Sequence, residues 1–253
     1  MASQRTREQG RIKERSRREQ REQRAERILD AAAELLLRWG YNKTTMDDIV
    51  RVAGVPKGTI YLHWKSREDL FLALMEREYT RLVRDIQQRI ASDPDGGTLR
   101  GITKHSMLAT MKSPLMKAVL LRDSDLMGEW MRKEYANVSY AQQLAQSLAL
   151  LEHYRARGVV RDDIDVRTMA FMLDAITVGF LVIDQYMPGD FKYSDEEIVE
   201  MTAEAVQRTF APSPPSEPQS DEKTKHELAH NFIASLDNVL AIRSRRDEEE
   251  ETS

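Results

Sequence analysis

From Ala25 the apolar positions Ile28, Leu29, Ala32, Leu35, Leu36 and Trp39 recur at three- and four-residue steps, and Gly40 follows as a C-cap, so a helix is predicted there. Thr44 or Thr45 offers a hydroxyl N-cap to a short second segment ending near Ala53. Asp47 and Asp48 sit in its first turn, where the helix dipole favours negative charge. Gly54 breaks the chain, and Pro56 opens a third segment at a position where a missing amide proton costs little. A helix, a short turn containing Gly and a second short helix make a helix-turn-helix unit. A longer helix follows over 67–91, with Leu70, Phe71, Leu74, Leu82, Ile86 and Ile90 on one face, and the Asp-Pro-Asp-Gly-Gly run at 93–97 ends it.

Beyond residue 97 no strand alternation appears and breakers are few. Helices are predicted near 98–110, 114–121, 124–157, 165–187 and 194–209. The long one carries Met127, Trp130, Met131, Val138, Ala141, Leu144, Leu148 and Leu151 at helical steps before Gly158, and Ser194 with Glu197 forms a capping-box pattern for the last. Four prolines between 212 and 218 read as a stiff linker, and Leu228, Phe232, Ile233, Leu236, Val239 and Leu240 mark a further amphipathic helix before the acidic residues 248–251. The fold class is all-α. Its expected parts are a flexible basic arm at 1–20, a helix-turn-helix domain at 21–81, a helical domain at 82–210, a Pro-rich linker at 211–220, and an amphipathic helix with an acidic tail at 221–253.

Charge sharpens this division. The net charge is −4, yet residues 1–67 hold 16 Lys and Arg against 9 Asp and Glu, a balance of +7. The remainder is therefore at −11, so one end suits a polyanion and the other does not. With no cysteine, disulfides, thiolate metal sites and Cys nucleophiles are excluded, and a reducing cytoplasm fits. The longest apolar stretch, 169–183, is interrupted by Asp174 and is read as too short for a bilayer, so no membrane partner is expected.

The stretch from Thr44 to Phe71 resembles the DNA-binding domain of the TetR (tetracycline-repressor-like) family. The matching residues are Thr44, Thr45, Ile49, Ala53, Gly54, Val55, Gly58, Thr59, Tyr61, His63, Ser66, Glu68 and Leu70, preceded by Ile28, Ala31, Ala32, Gly40 and Tyr41. Trp64, Arg67, Val50 and Pro56 stand where that pattern more often has Phe, Lys, Ala and Ser. The resemblance implies a two-fold dimer, a palindromic operator, a variable helical C-terminal domain with a ligand cavity, and release from DNA when ligand binds. It makes the protein a DNA-binding transcriptional regulator, expected to be a repressor, with double-stranded DNA, a small-molecule effector and a second copy of itself as partners and no cofactor.

A short helix can enter the major groove. Lys57 is the candidate for a guanine edge, and Gly58 lets the backbone approach. Thr59, Tyr61, His63, Lys65 and Arg67 are candidates for phosphate, and Thr44 or Thr45 for the other backbone strand. Tyr61 and His63 could instead be scaffold. Arg5 to Arg24 read either as phosphate or minor-groove contacts or as a solubilising tail. In the second region Met111, Trp130 and Tyr186 could line a cavity, although such residues are more often plain core, and His105 and Asp174 are its polar candidates. Ala170, Ala175 and Gly179 would allow close helix approach in a dimer. His226 and His230 stand four apart without a third metal ligand, and the five histidines form no catalytic arrangement, so neither a metal site nor an enzyme is expected. A rival reading makes the Pro-linked C-terminal helix an interaction module.

Overall fold

The computed structural model describes residues 2–183, 186–212 and 222–251, with side chains placed from residue 15 onward except at 134, 136–139 and beyond 237. The elements are α1 (Ala2–Trp39), α2 (Met46–Ala53), α3 (Lys57–Tyr61), α4 (Arg67–Ser92), α5 (Leu99–Met111), α6 (Pro114–Leu121), α7 (Ser124–Met131), α8 (Asn137–Ala156), α9 (Val166–Ile183), α10 (Asp195–Phe210) and α11 (Glu222–Glu251). Among the described residues there is no strand, so the all-α class is correct. Most of the 211–220 linker and the side chains of the acidic tail lie outside the described residues.

The chain forms two compact units. One comprises residues 1–75 together with 124–128, and the other comprises 76–123 and 129–253. The backbone therefore crosses between them three times, at 75/76, 123/124 and 128/129.

In the first unit α1 is one continuous helix, which differs from the expected flexible arm at 1–20. Growing a helix onto an existing one avoids the cost of nucleation. The pairs Arg15–Glu19 (3.0 Å) and Arg18–Glu22 (2.8 Å), each at i, i+4, add a few tenths of a kcal/mol apiece. Ile28, Ala32, Leu35 and Leu36 of α1, Ile49 of α2, Ile60 of α3 and Leu70, Phe71 and Leu74 of α4 form its buried interior.

In the second unit a core of Ile86, Ile90, Ile102, Leu151, Tyr154, Met169, Val206 and Phe210 is joined by Leu228 of α11. Burial pushes the Tyr154 phenol well above its ordinary pKa, and its hydroxyl reaches the Leu228 carbonyl. A smaller cluster holds Met107, Leu181, Ile198 and Val199.

The helix expected over 124–157 is broken. Gly128 lies at φ 67°, a π-helical turn follows at Arg132–Ala136, and only then does α8 begin. A side chain at Gly128 would collide with Asn42 and Tyr41, so close approach within the first unit, not helical periodicity, sets the backbone there.

The helix around the apolar stretch 169–183 is longer than that stretch. Helix α9 spans 18 residues at a mean hydropathy of 1.8, long and apolar enough by length and composition, although only 22% of it is buried. One side, with Val166, Met169, Ala170 and Leu181, packs into the unit's own core, and Arg167 and Asp174 interrupt the apolar run.

Ser194 caps α10 as its sequence predicts. The Glu197 carboxylate accepts from the Ser194 amide (2.8 Å) and hydroxyl (2.9 Å), and these bonds hold its pKa below the ordinary 4.5. A depressed folded pKa contributes stability that is present above the unfolded value and is lost as pH falls through the folded one. Ser194→Ala is expected to cost about 1 kcal/mol in urea unfolding. The gap between wild type and Glu197→Ala should be full near neutral pH and shrink as pH falls below 4.5 and through the depressed Glu197 pKa.

Candidate nucleic-acid interface

Two short helices and the turn between them are set by local chemistry. Thr45 accepts a hydrogen bond from the Asp48 amide (3.2 Å) while the Asp48 carboxylate accepts from the Thr45 amide (3.3 Å), a reciprocal capping box. Hydrogen bonding to Thr45, above all, holds the Asp48 pKa below its ordinary value. Gly54 closes α2 in the left-handed region at φ 63° and ψ 37°, where L side chains are strained, and Val55 is buried. Pro56 stands as the N-cap of α3, with φ −61° and no side-chain cap. Ile49 and Ile60 are wholly removed from solvent, which points one side of each short helix inward.

The opposite side of α3 is open. Lys57 is exposed and reaches Asp47 of α2 at 2.7 Å, a pairing that raises its pKa. Tyr61 is 47% exposed, and a side chain at Gly58 would meet nothing within 4 Å. Thr59 is half-buried, and Lys65 is exposed. His63 is half-buried beside Trp64, with ring centroids 5.2 Å apart. Burial first, then the positive charges of Arg21 and Arg24 on α1, hold its pKa below the ordinary value.

Two of the residues expected at the phosphates face inward instead. Thr44 is fully buried and its hydroxyl donates to the Gly40 carbonyl at 2.9 Å, so of the two threonines it is Thr45 that caps α2 and stays exposed. The Arg67 guanidinium donates to the Tyr41 carbonyl at 2.8 Å and lies 4.0 Å over the Tyr41 ring. Glu68 accepts from the Tyr41 hydroxyl at 3.2 Å, and burial pushes that phenol to about 12. Tyr41 in turn meets Phe71 edge-on at 4.9 Å. Arg67 is therefore a clamp joining the start of α4 to the loop after α1.

The sequence reading missed three features at this surface. Asp47 pairs with Lys57 across the turn, Arg21 and Arg24 act on His63, and Leu62 is 75% exposed next to Tyr61. Only Leu62 carried a local signal, as an apolar residue inside a polar motif.

The five candidates for a ligand cavity do not converge. His105 is buried and bonds Asp93 at 2.8 Å beside the α4–α5 turn. Met111 packs with Met107 and Leu181, Trp130 is half-buried, and Tyr186 is 75% exposed. Asp174 does line a cavity of about 180 Å³, together with Tyr79, Tyr140, Gln143, Leu144, Phe232 and Leu236 among others. The Tyr140 hydroxyl donates to its carboxylate at 2.8 Å, while partial burial raises the Asp174 pKa. Phe232 and Leu236 come from α11, so the C-terminal helix supplies one wall.

Arg67→Ala is expected to destabilise the first unit by about 1–3 kcal/mol in urea unfolding, since it removes both the hydrogen bond and the ring contact. Lys57→Ala, an exposed change, should stay within about 0.5 kcal/mol of wild type.

The profile of the family "Bacterial regulatory proteins, tetR family" matches residues 28–74. YvdT, an HTH-type transcriptional regulator of Bacillus subtilis, is 36% identical over 77 residues, which are 30% of this chain and 40% of YvdT. Across YvdT and two further Bacillus subtilis regulators the chain spans only 30–40% of the relatives' length. FadR of Bacillus subtilis, solved with stearoyl-CoA, superposes with a TM-score of 0.55 at 21% identity, covering 71% of this chain and 96% of FadR. AibR, solved with isovaleryl coenzyme A and operator DNA, superposes at 0.53 and 20% identity, covering 72% and 97%. At such identities the superpositions show the fold alone. The matched segment is the one that buries Ile49 and Ile60 and leaves Lys57 and Tyr61 open, so the comparisons show a segment over residues 28–74 that is similar to the DNA-binding region of bacterial regulatory proteins of the tetR family.

Proposed function

We propose that the protein is a homodimeric transcriptional repressor of the cytoplasm that reads a palindromic operator with α3 and leaves it when a small molecule binds the second unit. The observation that carries the reading is the two-sidedness of α3, which is anchored inward by Ile60 while Lys57, Gly58 and Tyr61 stay open. Lys57 swings from Asp47 to a guanine edge, Gly58 lets the helix backbone approach, and Thr59, Tyr61, His63 and Lys65 take phosphate oxygens, with Thr45 at the other strand. Exchanging one exposed ion pair for contact with DNA costs little, because such a pair is worth at most about 1 kcal/mol.

Two copies are needed to reach successive major grooves. On α9 the residues Phe171, Ala175, Gly179 and Ile183 stand four apart, Phe171 is 75% exposed, and a side chain at Gly179 would meet nothing. An apolar stripe of this kind fits self-association through α9 and α10. Ala170, earlier grouped with the dimer-facing residues, is buried in its own subunit and has no part in it.

The effector site is assigned to the cavity at Asp174. Its volume, about 180 Å³, is below that of sites that take drug-sized ligands, so a small apolar molecule with a donor or positive charge for Asp174 fits it as it stands. FadR and AibR were solved with acyl-coenzyme A molecules, and a ligand of that size would require the wall formed by α11 to move. The three backbone crossings at 75/76, 123/124 and 128/129 would carry such a movement to the reading unit.

The test is a 30-bp duplex selected from a random pool by the wild-type protein. Lys57→Ala should weaken binding to it by about 1–3 kcal/mol. Gly58→Ala is the sharper probe, because it should stabilise α3 by up to about 1 kcal/mol yet weaken binding through loss of close approach. Phe171→Asp should give a folded monomer by light scattering. Unchanged affinity in both α3 variants defeats the reading.

A further inference from the structure

The two sides of α1 carry different charge. At 100° per residue, Arg17, Arg21 and Arg24 fall within one narrow sector of the helix, while Glu19, Glu22 and Glu26 lie on the opposite side. Arg15 and Arg18 are engaged with two of those carboxylates, at 3.0 and 2.8 Å. The three arginines of the other sector are exposed, and Arg24 donates to a neutral acceptor, the Gln20 carbonyl, at 3.1 Å. Among the side chains described, from residue 15 onward, the Arg17, Arg21 and Arg24 sector carries no carboxylate, while the Glu19 and Glu22 side holds the ion pairs.

The basic sector has a direction. The charges of Arg21 and Arg24 are felt at His63, two residues past the end of α3, within the same compact unit. The Arg21 and Arg24 end of the sector therefore lies near His63, at the edge of the surface that carries Lys57, Tyr61 and Lys65. From Arg17 to Arg24 it runs about 10 Å along the helix axis, close to a third of a turn of duplex.

We infer that the Arg17–Arg21–Arg24 face of α1 is a phosphate-binding strip for duplex DNA, extending the footprint of α3 onto the backbone beside the bases it reads. The inference rests on the reading of α3 as the DNA probe, and it adds a sequence-independent contribution to it. Guanidinium groups suit phosphate through charge-assisted, forked hydrogen bonds. Each neutralised phosphate releases condensed counterion, so the strip has a thermodynamic signature of its own.

The experiment measures the affinity of the full-length protein for a mixed-sequence 40-bp duplex between 50 and 200 mM KCl by fluorescence anisotropy. The triple variant Arg17→Gln, Arg21→Gln, Arg24→Gln should flatten the plot of log K against log salt by about 0.9 for each lost contact, approaching 2.7 per protomer. The triple Arg→Lys variant keeps the charge and should restore most of the slope, which separates a phosphate contact from a folding defect. Circular dichroism of the Gln variant should match wild type, since the three side chains are exposed. An unchanged slope in the Gln variant, with wild type binding normally, overturns the strip and leaves the α3 reading intact. Failure of the wild type to bind any duplex at 50 mM KCl overturns both. Dependence on these arginines for binding phosphatidylserine vesicles but not DNA would assign the face to a lipid surface and also overturn the inference.

Discussion

Ile49 and Ile60 sit wholly out of solvent on two helices of eight and five residues, joined by a turn that needs Gly54 in the left-handed region. Helices this short have no stability of their own. They exist because each buries one apolar side chain in the interior of the first unit, and the same anchoring fixes which side chains are left pointing out. Everything proposed for the reading surface follows from that division. Polar residues on the inner side, Thr44 and Arg67, spend their hydrogen bonds on Gly40 and Tyr41, whereas Tyr61 and Lys65 stay exposed and Lys57 is held only by an exposed pair with Asp47.

The second unit is organised by a different constraint. Its core is closed by packing from α4, α5, α8, α9, α10 and α11, yet α9 keeps an apolar stripe in the open. Water contact with such a stripe is unfavourable at roughly 25 cal/mol per Å² of apolar surface, which is the physical case for covering it with a second copy. α11 does the opposite: Leu228 enters the core, Lys225 reaches Asp95 at 2.8 Å, and Gln87 donates to Asp237 at 3.2 Å. The C-terminal helix is thus part of the unit's packing and a wall of its cavity, which bears on the rival reading of it as a free interaction module.

The helix-turn-helix was legible because its determinants are local. A threonine cap with Asp three residues on, a glycine at the turn and a proline at the next start specify the backbone whatever surrounds them. What was not legible was tertiary. Thr44 and Thr45 have the same chemistry, and only the fold decides that one is buried and the other caps. Arg67 reads as a phosphate ligand until Tyr41 is found beneath it. Apolar periodicity ran unbroken through Gly128, since nothing in the sequence shows Tyr41 and Asn42 lying against it. His105, Met111, Trp130 and Tyr186 scattered for the same reason: residue type suggests a cavity, but placement comes from packing, and Asp174 was the one that met the cavity. The charge asymmetry between the two ends was visible from composition, whereas its concentration on one side of α1 emerged only once that segment was helical.

The central claim is that α3 meets base edges in the major groove twice on one duplex. Methylation interference on a duplex selected by the protein tests it directly, because N7-methylguanine blocks the major-groove acceptor offered to Lys57. The account predicts interference at guanines in two patches centred about one helical turn apart, within symmetric half-sites. Interference confined to minor-groove N3-methyladenine, or restricted to a single patch, would contradict it.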